Sequence, residues 1–516
     1  MMKYILFAFM WITLVYCSTS QNQRGANTDI PESDAIRLEL DISDVKNTME
    51  GRGAGFCNSF ITDEPEIAPQ LKEARTRTLR YPMGTLAENY LFHNDNQNYA
   101  DLSGENTRLR PKICSVNENF SGFQDIDKTT LEFNPELLDF DEFMNLCAEA
   151  NAEPVIMLSA IGDLLDGSTV TKKQLMRNSI EWVSYARRKG YDITYWEFGN
   201  EITFHKEEDK IASEEYVSRY LYLQDTLKKI NPDLKLGVGS LGWGNEVTIP
   251  EFLSYPKFIA KMDFFVVHQY NASGVANYED WQRLTGDIVN NSPDDKEDFI
   301  PNIKKSIQLL DEQISQYPNL ITMEYLITEH STRKPKSKGW EGGGQHITQT
   351  LAGFQQIFNM FLYDQRIRYS HFWVTTSPWG DRSIFTGDAE AFNKLDNWAI
   401  TPQGMTVALF NRFVLHHLIQ PITSGRLGVY ASTSEDQSKL VLFILNKGNE
   451  STHINLRLTG NSGFQINSQW TYGGTGDPYD QAPELKQVSD AKINGEWIST
   501  DLSPISLTII ELENNK

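Results

Sequence analysis

Tyr195-Trp196-Glu197-Phe198-Gly199-Asn200-Glu201 decides how the chain is read. It begins as a strand, with aromatic and apolar residues alternating with polar ones. It breaks at Gly199 and presents an amide, Asn200, directly before a carboxylate, Glu201. A carboxylate at the C-terminal end of a buried strand packs badly. It is well placed for chemistry in a (β/α)8 barrel, where active sites gather at that end.

The flanking sequence supplies such a barrel. Strand-like runs fall at 54–60, 77–83, 154–161, 193–198 (which leads into the quoted stretch), 234–240, 263–270, 325–330 and 367–374. Helix-like segments separate them at 65–75, 135–150, 172–189, 213–230, 249–260, 299–317 and 345–362. Strands alternating with helices read as parallel βαβ units. Eight of them close one α/β domain, a TIM barrel over 51–398. The segment 88–135 is rich in Asn, Asp and Gly and long for a βα loop, a length that goes with function or mobility.

From 399 to 516 the texture changes. A last helix over 401–417 is followed by strand-like runs at 426–431, 439–446, 453–458, 464–472 and 505–512. This reads as an antiparallel β-sandwich. Residues 36–42 alternate cleanly, so the segment 36–50 is expected to add a strand to that sandwich.

The seventh strand ends Thr328-Glu329-His330. Glu201 and Glu329 therefore open onto the same barrel mouth. Two carboxylates so placed can divide the labour of glycoside hydrolysis. One, kept protonated, hands its proton to the leaving oxygen, and the other attacks the anomeric carbon. Retention needs them about 5–5.5 Å apart and inversion about 6.5–9.5 Å.

Asn-Glu closing strand four and Glu closing strand seven resembles the retaining glycoside hydrolases of clan A. The resemblance implies Glu201 as acid/base, Glu329 as nucleophile and Asn200 on the sugar 2-hydroxyl. It implies Arg80 beside the nucleophile, holding it ionised. It also implies Tyr270 bonded to the nucleophile and Trp373 as the floor of the sugar site, with His268 a further contact at the end of strand six. Within the clan the chain is most similar to the α-L-arabinofuranosidase family. The similarity lies in layout, in Arg80-Tyr81-Pro82-Met83-Gly84 against that family's Arg-aromatic-Pro-Gly-Gly, and in the closing strand Ser503–Thr508. Met83 replaces a Gly, Ile-Thr-Phe-His follows Glu201, and His330 stands where the family has Trp. Agarase-, porphyranase- and glucuronidase-like substrates therefore stay open. A barrel that binds carbohydrate without turnover is the alternative of another class.

Plainer readings exist for each residue. Glu201 could be a solvated strand end, Glu329 and Arg80 a structural ion pair, His268 a satisfied core histidine, and Tyr270 and Trp373 core packing. Asn58, Glu88, His330 and Trp379 lie at strand ends or just beyond, as candidate substrate contacts. Asp163 and Asp166 read as helix-capping or loop residues. Gly342-Gly343-Gly344 reads as a loop, because no Lys-Ser/Thr follows to make a phosphate cradle.

Composition bounds the partners. With 47 basic and 69 acidic residues the net charge is −22, which argues against nucleic acid and suits a neutral substrate. The 11 Trp, 21 Tyr and 27 Phe serve core packing first and sugar stacking second. Cys17, Cys57, Cys114 and Cys147 are too few for a disulfide framework, and no Cys/His spacing suggests zinc. No metal or cofactor is expected. Residues 1–17 carry one Lys and an apolar run, the outline of a secretory or lipoprotein signal. The expectation is export, as a secreted, periplasmic or surface protein, with membrane attachment only through a lipid on Cys17. Residues 18–35 read as a polar linker.

Overall fold

A computed structural model of the chain describes residues 35–60, 67–93, 109–116, 126–134, 137–202, 211–240, 251–270, 277–283, 300–317, 320–332, 346–375, 399–460 and 463–514. Cys17, Gly342–Gly344 and Trp379, with the signal and most of the linker, lie outside the described residues. All the elements below belong to one compact unit, Ile36–Lys516.

Eight parallel strands close a barrel in chain order. They are Gly53–Cys57, Thr78–Tyr81, Glu153–Leu158, Tyr195–Phe198, Lys235–Val238, Phe264–Tyr270, Glu324–Ser331 and Ile367–Trp373, called here strands one to eight. Closure is made by strand eight on strand one, from Tyr369↔Gly53 to Trp373↔Cys57. The helices between them carry their own start and stop signals. Phe140–Ala150 opens on an Asp139/Glu142 capping box. Lys172–Lys189 opens on a Thr171/Gln174 box and stops at Gly190, which takes the left-handed conformation.

The barrel interior changes character along its axis. Toward the N-terminal ends it is filled by Val155, Tyr195, Phe264, Val266, Leu326 and Tyr369. One step nearer the C-terminal ends, the buried residues Arg80, Glu197, His268, Thr328 and His371 replace them. An apolar plug thus supports a polar layer, and the mouth lies beyond it.

Strand seven carries a β-bulge. Leu326 and Glu329 oppose Val266 and His268, three residues against two, and the same offset recurs against strand eight. The extra residue lets Thr328 and Glu329, neighbours in sequence, both turn inward. It sends His330 outward, where its ring packs at 5.2 Å on Phe372.

A seven-stranded sheet and a four-stranded sheet complete the fold. Ile36–Asp41 pairs parallel with Thr452–Thr459 in the smaller sheet. Val45–Thr48 joins the edge of the larger one beside His417–Ser424. Residues from both sheets, including Leu40, Leu442, Ile454, Ile498 and Ile510, share one core. The helix expected over 401–417 runs only from Pro402 to Phe413, and His417 starts a strand. Pairing with Leu427–Thr433 on one side and Val45–Thr48 on the other outweighs helical propensity there. Cys57, Cys114 and Cys147 are buried free thiols. Among the described residues no helix is long and apolar enough to cross a membrane.

Candidate active site

The polar layer is organised on Arg80 of strand two, a fully buried side chain. Its Nε and Nη2 donate to Glu197 of strand four at 2.8 and 2.9 Å, a two-pronged pairing. Nη2 also donates to Asn200 Oδ1 at 2.7 Å. Nη1 donates to Glu329 Oε1 at 2.8 Å and reaches Cys57 Sγ at 3.8 Å. Burial alone would lower its pKa, but the charges of Glu197, Cys57 and Glu329 raise it well above the ordinary arginine value. The cation is permanent.

Glu329, turned inward by the bulge, is 4% exposed. Its Oε1 takes the Arg80 bond, and its Oε2 accepts from Tyr270 Oη at 2.5 Å. Burial pushes its pKa above the ordinary carboxylate value, while His268, Arg80 and the Tyr270 bond pull it back. Two donors thus aim it and favour its charged form.

Glu201 follows strand four after Gly199 and Asn200. It adopts a φ of 45°, the left-handed region that a side chain normally avoids. The segment is held from below by Glu88. That carboxylate accepts from the Asn200 N–H at 2.6 Å and, on its other oxygen, from the Ala160 and Ile161 N–H groups at 2.8 and 3.1 Å. Glu201 Oε1 lies 2.9 Å from His268 Nδ1, and its side chain is 14% exposed. Donor atoms of Glu201, His268 and Glu329 all fall within 4.8 Å of one another. That spacing could also hold a metal ion, but His268 Nδ1 is engaged by Glu201, and the two oxygens of Glu329 by Arg80 and Tyr270.

Trp373, at the end of strand eight, is 7% exposed. A Cβ placed on Gly84 would lie 2.5 Å from Glu329 Oε1 and 2.6 Å from the Trp373 ring, so the three pack closely at the mouth. Among the described residues the Trp373 Nε1 and the buried Asn200 Nδ2 have no hydrogen-bond partner, two donors that a ligand could take up.

The structure therefore brings Glu201, Glu329, Asn200, Arg80, His268, Tyr270 and Trp373 to one place. Arg80 lies beneath the carboxylates and beside Glu329, with all five N–H donors on protein atoms. Glu88 and His330, candidate substrate contacts, are fully buried, the first under the Asn200 backbone and the second outside the barrel wall. Asp163 pairs with Arg219 of the helix Ser213–Ile230. Asn58 is buried, with its Oδ1 lacking a partner among the described residues.

No family model matches the chain, and no curated protein matches it in sequence. Solved structures do match. An α-L-arabinofuranosidase from Thermotoga maritima superposes with a TM-score of 0.64 at 14% identity, over 93% of this chain and 100% of the other. A family 44 xyloglucanase from Paenibacillus polymyxa gives 0.62 at 14%, over 93% and 100%. A bifunctional glucanase-xylanase from a metagenome library gives 0.62 at 12%, over 94% and 100%. The chain has the fold of these glycoside hydrolases.

Sequence reasoning missed Glu197 and Thr328. Glu197 carried a signal: two residues after the inward Tyr195, it had to face the interior and so required a buried cation. Thr328 carried none, because its role depends on the bulge.

Proposed function

We propose that the chain is a retaining glycoside hydrolase in which Glu329 is the nucleophile and Glu201 the general acid/base. The observation that carries this reading is the approach of the two carboxylates within 4.8 Å. That supports the retaining spacing of about 5–5.5 Å over the inverting one of about 6.5–9.5 Å. Arg80 and Tyr270 support an ionised Glu329 aimed at the anomeric carbon. In the first step Glu329 forms the new C–O bond. The leaving oxygen departs with the old bond's electron pair and takes the Glu201 proton. In the second step Glu201 removes a proton from water, water attacks the same carbon, and Glu329 is released as carboxylate. Asn200 Nδ2 is the donor for the hydroxyl beside the reacting carbon, and Trp373 the surface for the ring.

The preferred substrate is an α-L-arabinofuranoside, supported by the layout shared with the Thermotoga enzyme. Cleavage within a polysaccharide chain is the second reading, supported by the same fold in a xyloglucanase and a glucanase-xylanase. Release from a panel of plant and algal polysaccharides, with the first anomer followed by NMR, tests both. Agarose, porphyran and glucuronoxylan belong in that panel. Glu201→Gln should still bind and still cleave activated aryl glycosides while losing natural glycans, and Glu329→Ala should abolish both. Full glycan hydrolysis by Glu201→Gln would sink the assignment. Binding without turnover by the wild type would favour a carbohydrate-binding barrel. Export through residues 1–17, with a lipid on Cys17, is proposed from sequence. Loss of membrane association in Cys17→Ser checks it.

A further inference from the structure

Two side chains that the double displacement does not use complete a line of hydrogen bonds leading to Glu201. His268 places Nδ1 2.9 Å from Glu201 Oε1 and Nε2 3.0 Å from Thr328 Oγ1. Thr328 Oγ1 donates to Glu197 Oε1 at 3.4 Å, and Glu197 receives the fork of Arg80. Thr328 and Glu197 are both fully buried.

A neutral imidazole donates from one nitrogen and accepts at the other, and its partners decide which. The Glu197 carboxylate offers only lone pairs. The single hydroxyl hydrogen of Thr328 is therefore drawn to it, because a bond to a charged acceptor outweighs one to a neutral nitrogen. The Thr328 oxygen is left to accept, and the hydrogen it accepts is on His268 Nε2. Nδ1 then carries a lone pair, and the group facing it, Glu201 Oε1, must supply the hydrogen.

We infer that Thr328 and Glu197 fix the tautomer of His268 and thereby hold Glu201 in its protonated form in the resting site. The inference rests on the reading of Glu201 as acid/base. The hydrogen kept on Glu201 is the one the leaving oxygen takes with the bonding electron pair. Once it is gone, the Glu201 carboxylate faces a lone pair on Nδ1 and is the stronger base for the attacking water. The opposite tautomer would donate to Glu201, favour its ionised form and weaken it as an acid. The other groups around His268 are Arg80 from strand two, Glu329 of strand seven at 3.6 Å, His371 from strand eight and Tyr270 on its own strand. Burial holds His268 below the usual histidine value, so the neutral ring is the form in question. Thr328 and Glu197 are positioning residues, acting through His268.

Thr328→Val removes the hydroxyl at constant shape, and Thr328→Ser keeps it. In protein labelled with ¹⁵N-histidine, with His268→Asn assigning the signal, the wild type and Thr328→Ser should carry the hydrogen on Nε2. Thr328→Val should move it to Nδ1. A wild type protonated on Nδ1 overturns the inference whether or not a substrate has been found. On a glycoside with a poor leaving group, whose cleavage needs the Glu201 proton, the basic limb of kcat/KM should fall by about one pH unit in Thr328→Val and stay in place in Thr328→Ser. A loss of rate in Thr328→Val with the basic limb unmoved would mean a merely structural role and also overturns it. Wild-type inactivity on every glycoside would defeat the reading of the site, and the tautomer measurement would still decide this inference.

Discussion

A guanidinium has five N–H donors, and Arg80 commits all of them within the polar layer. One residue thereby joins strand two to strands four and seven and ties the Asn200 amide to the Glu329 carboxylate. The pH dependence of the site follows from the balance at Glu329. On the proposed reading of Glu329 as nucleophile, attack needs the ionised form, so rate is lost as pH falls through its pKa, which burial sets above the ordinary carboxylate value. Tyr270 is one of the groups that lower it again. Tyr270→Phe should therefore move the acid limb of kcat/KM to higher pH, by about one unit for one lost hydrogen bond. It should leave the basic limb in place. A pH-rate profile measures both limbs, and an acid limb that moved down would contradict the assignment. At this scale much was legible: two carboxylates, an amide and a tryptophan at strand ends. Glu88 was misplaced, because a carboxylate shortly after a strand looks the same in sequence whether it meets substrate or backbone N–H groups.

The elements set where these side chains sit, and two contacts show how. The first is the approach of strand five to the turn after strand four. A Cβ on Gly239 would lie 1.8 Å from the Gly199 carbonyl oxygen and 2.6 Å from its carbon, both backbone atoms that cannot swing away. Gly239→Ala should push the Asn200-Glu201 segment off the mouth. The expected cost is about 1–3 kcal/mol of stability and on the order of 100-fold in kcat/KM for a displacement near 1 Å. A denaturant melt and steady-state kinetics measure the two, and an unchanged kcat/KM would show that the segment is not held there. The second is the bulge in strand seven. The run Tyr325–His330 was legible as a strand, and Glu329 as its chemical end. Strict alternation from the inward Leu326, however, would send Glu329 outward and His330 inward. The partner strands reverse that, with three residues set against two on each side. Register is a property of pairs of strands, so no single run could disclose it.

The whole molecule joins its two parts through the seven-stranded sheet, whose strands Leu427–Thr433 and Lys439–Asn446 are buried on both faces. Leu442 and Ile510 point into the sandwich core, while Phe443 and Ile509 point the other way into the barrel's core. There Phe443 meets Phe354 at 5.2 Å and Tyr430 meets Phe358 at 5.0 Å, on the helix Ile347–Tyr363. That double burial is why Lys439–Asn446 read clearly as a strand, whereas the exposed edge pieces Leu485–Val488 and Lys492–Asn494 were missed. The same junction holds Lys447, 3% exposed, with Nζ donating to the Trp281 carbonyl at 3.2 Å and lying 5.1 Å from the Trp281 ring. Tyr278 and Gln282 clamp its carbonyl oxygen. Burial lowers its pKa from the ordinary 10.5 to about 7. Between those two values the unfolded chain binds this proton more readily than the folded one, so the group's contribution to stability rises with pH across the window. Below about 7 both states carry the charge, and the cost of burying it stands in full. Lys447→Met, similar in length and uncharged, should therefore raise Tm most at and below neutral pH, with the gain shrinking toward pH 10. Melting curves across that range measure it. A Tm difference that stayed constant from pH 6 to pH 10 would mean that Lys447 does not titrate on unfolding and that the junction tolerates its charge.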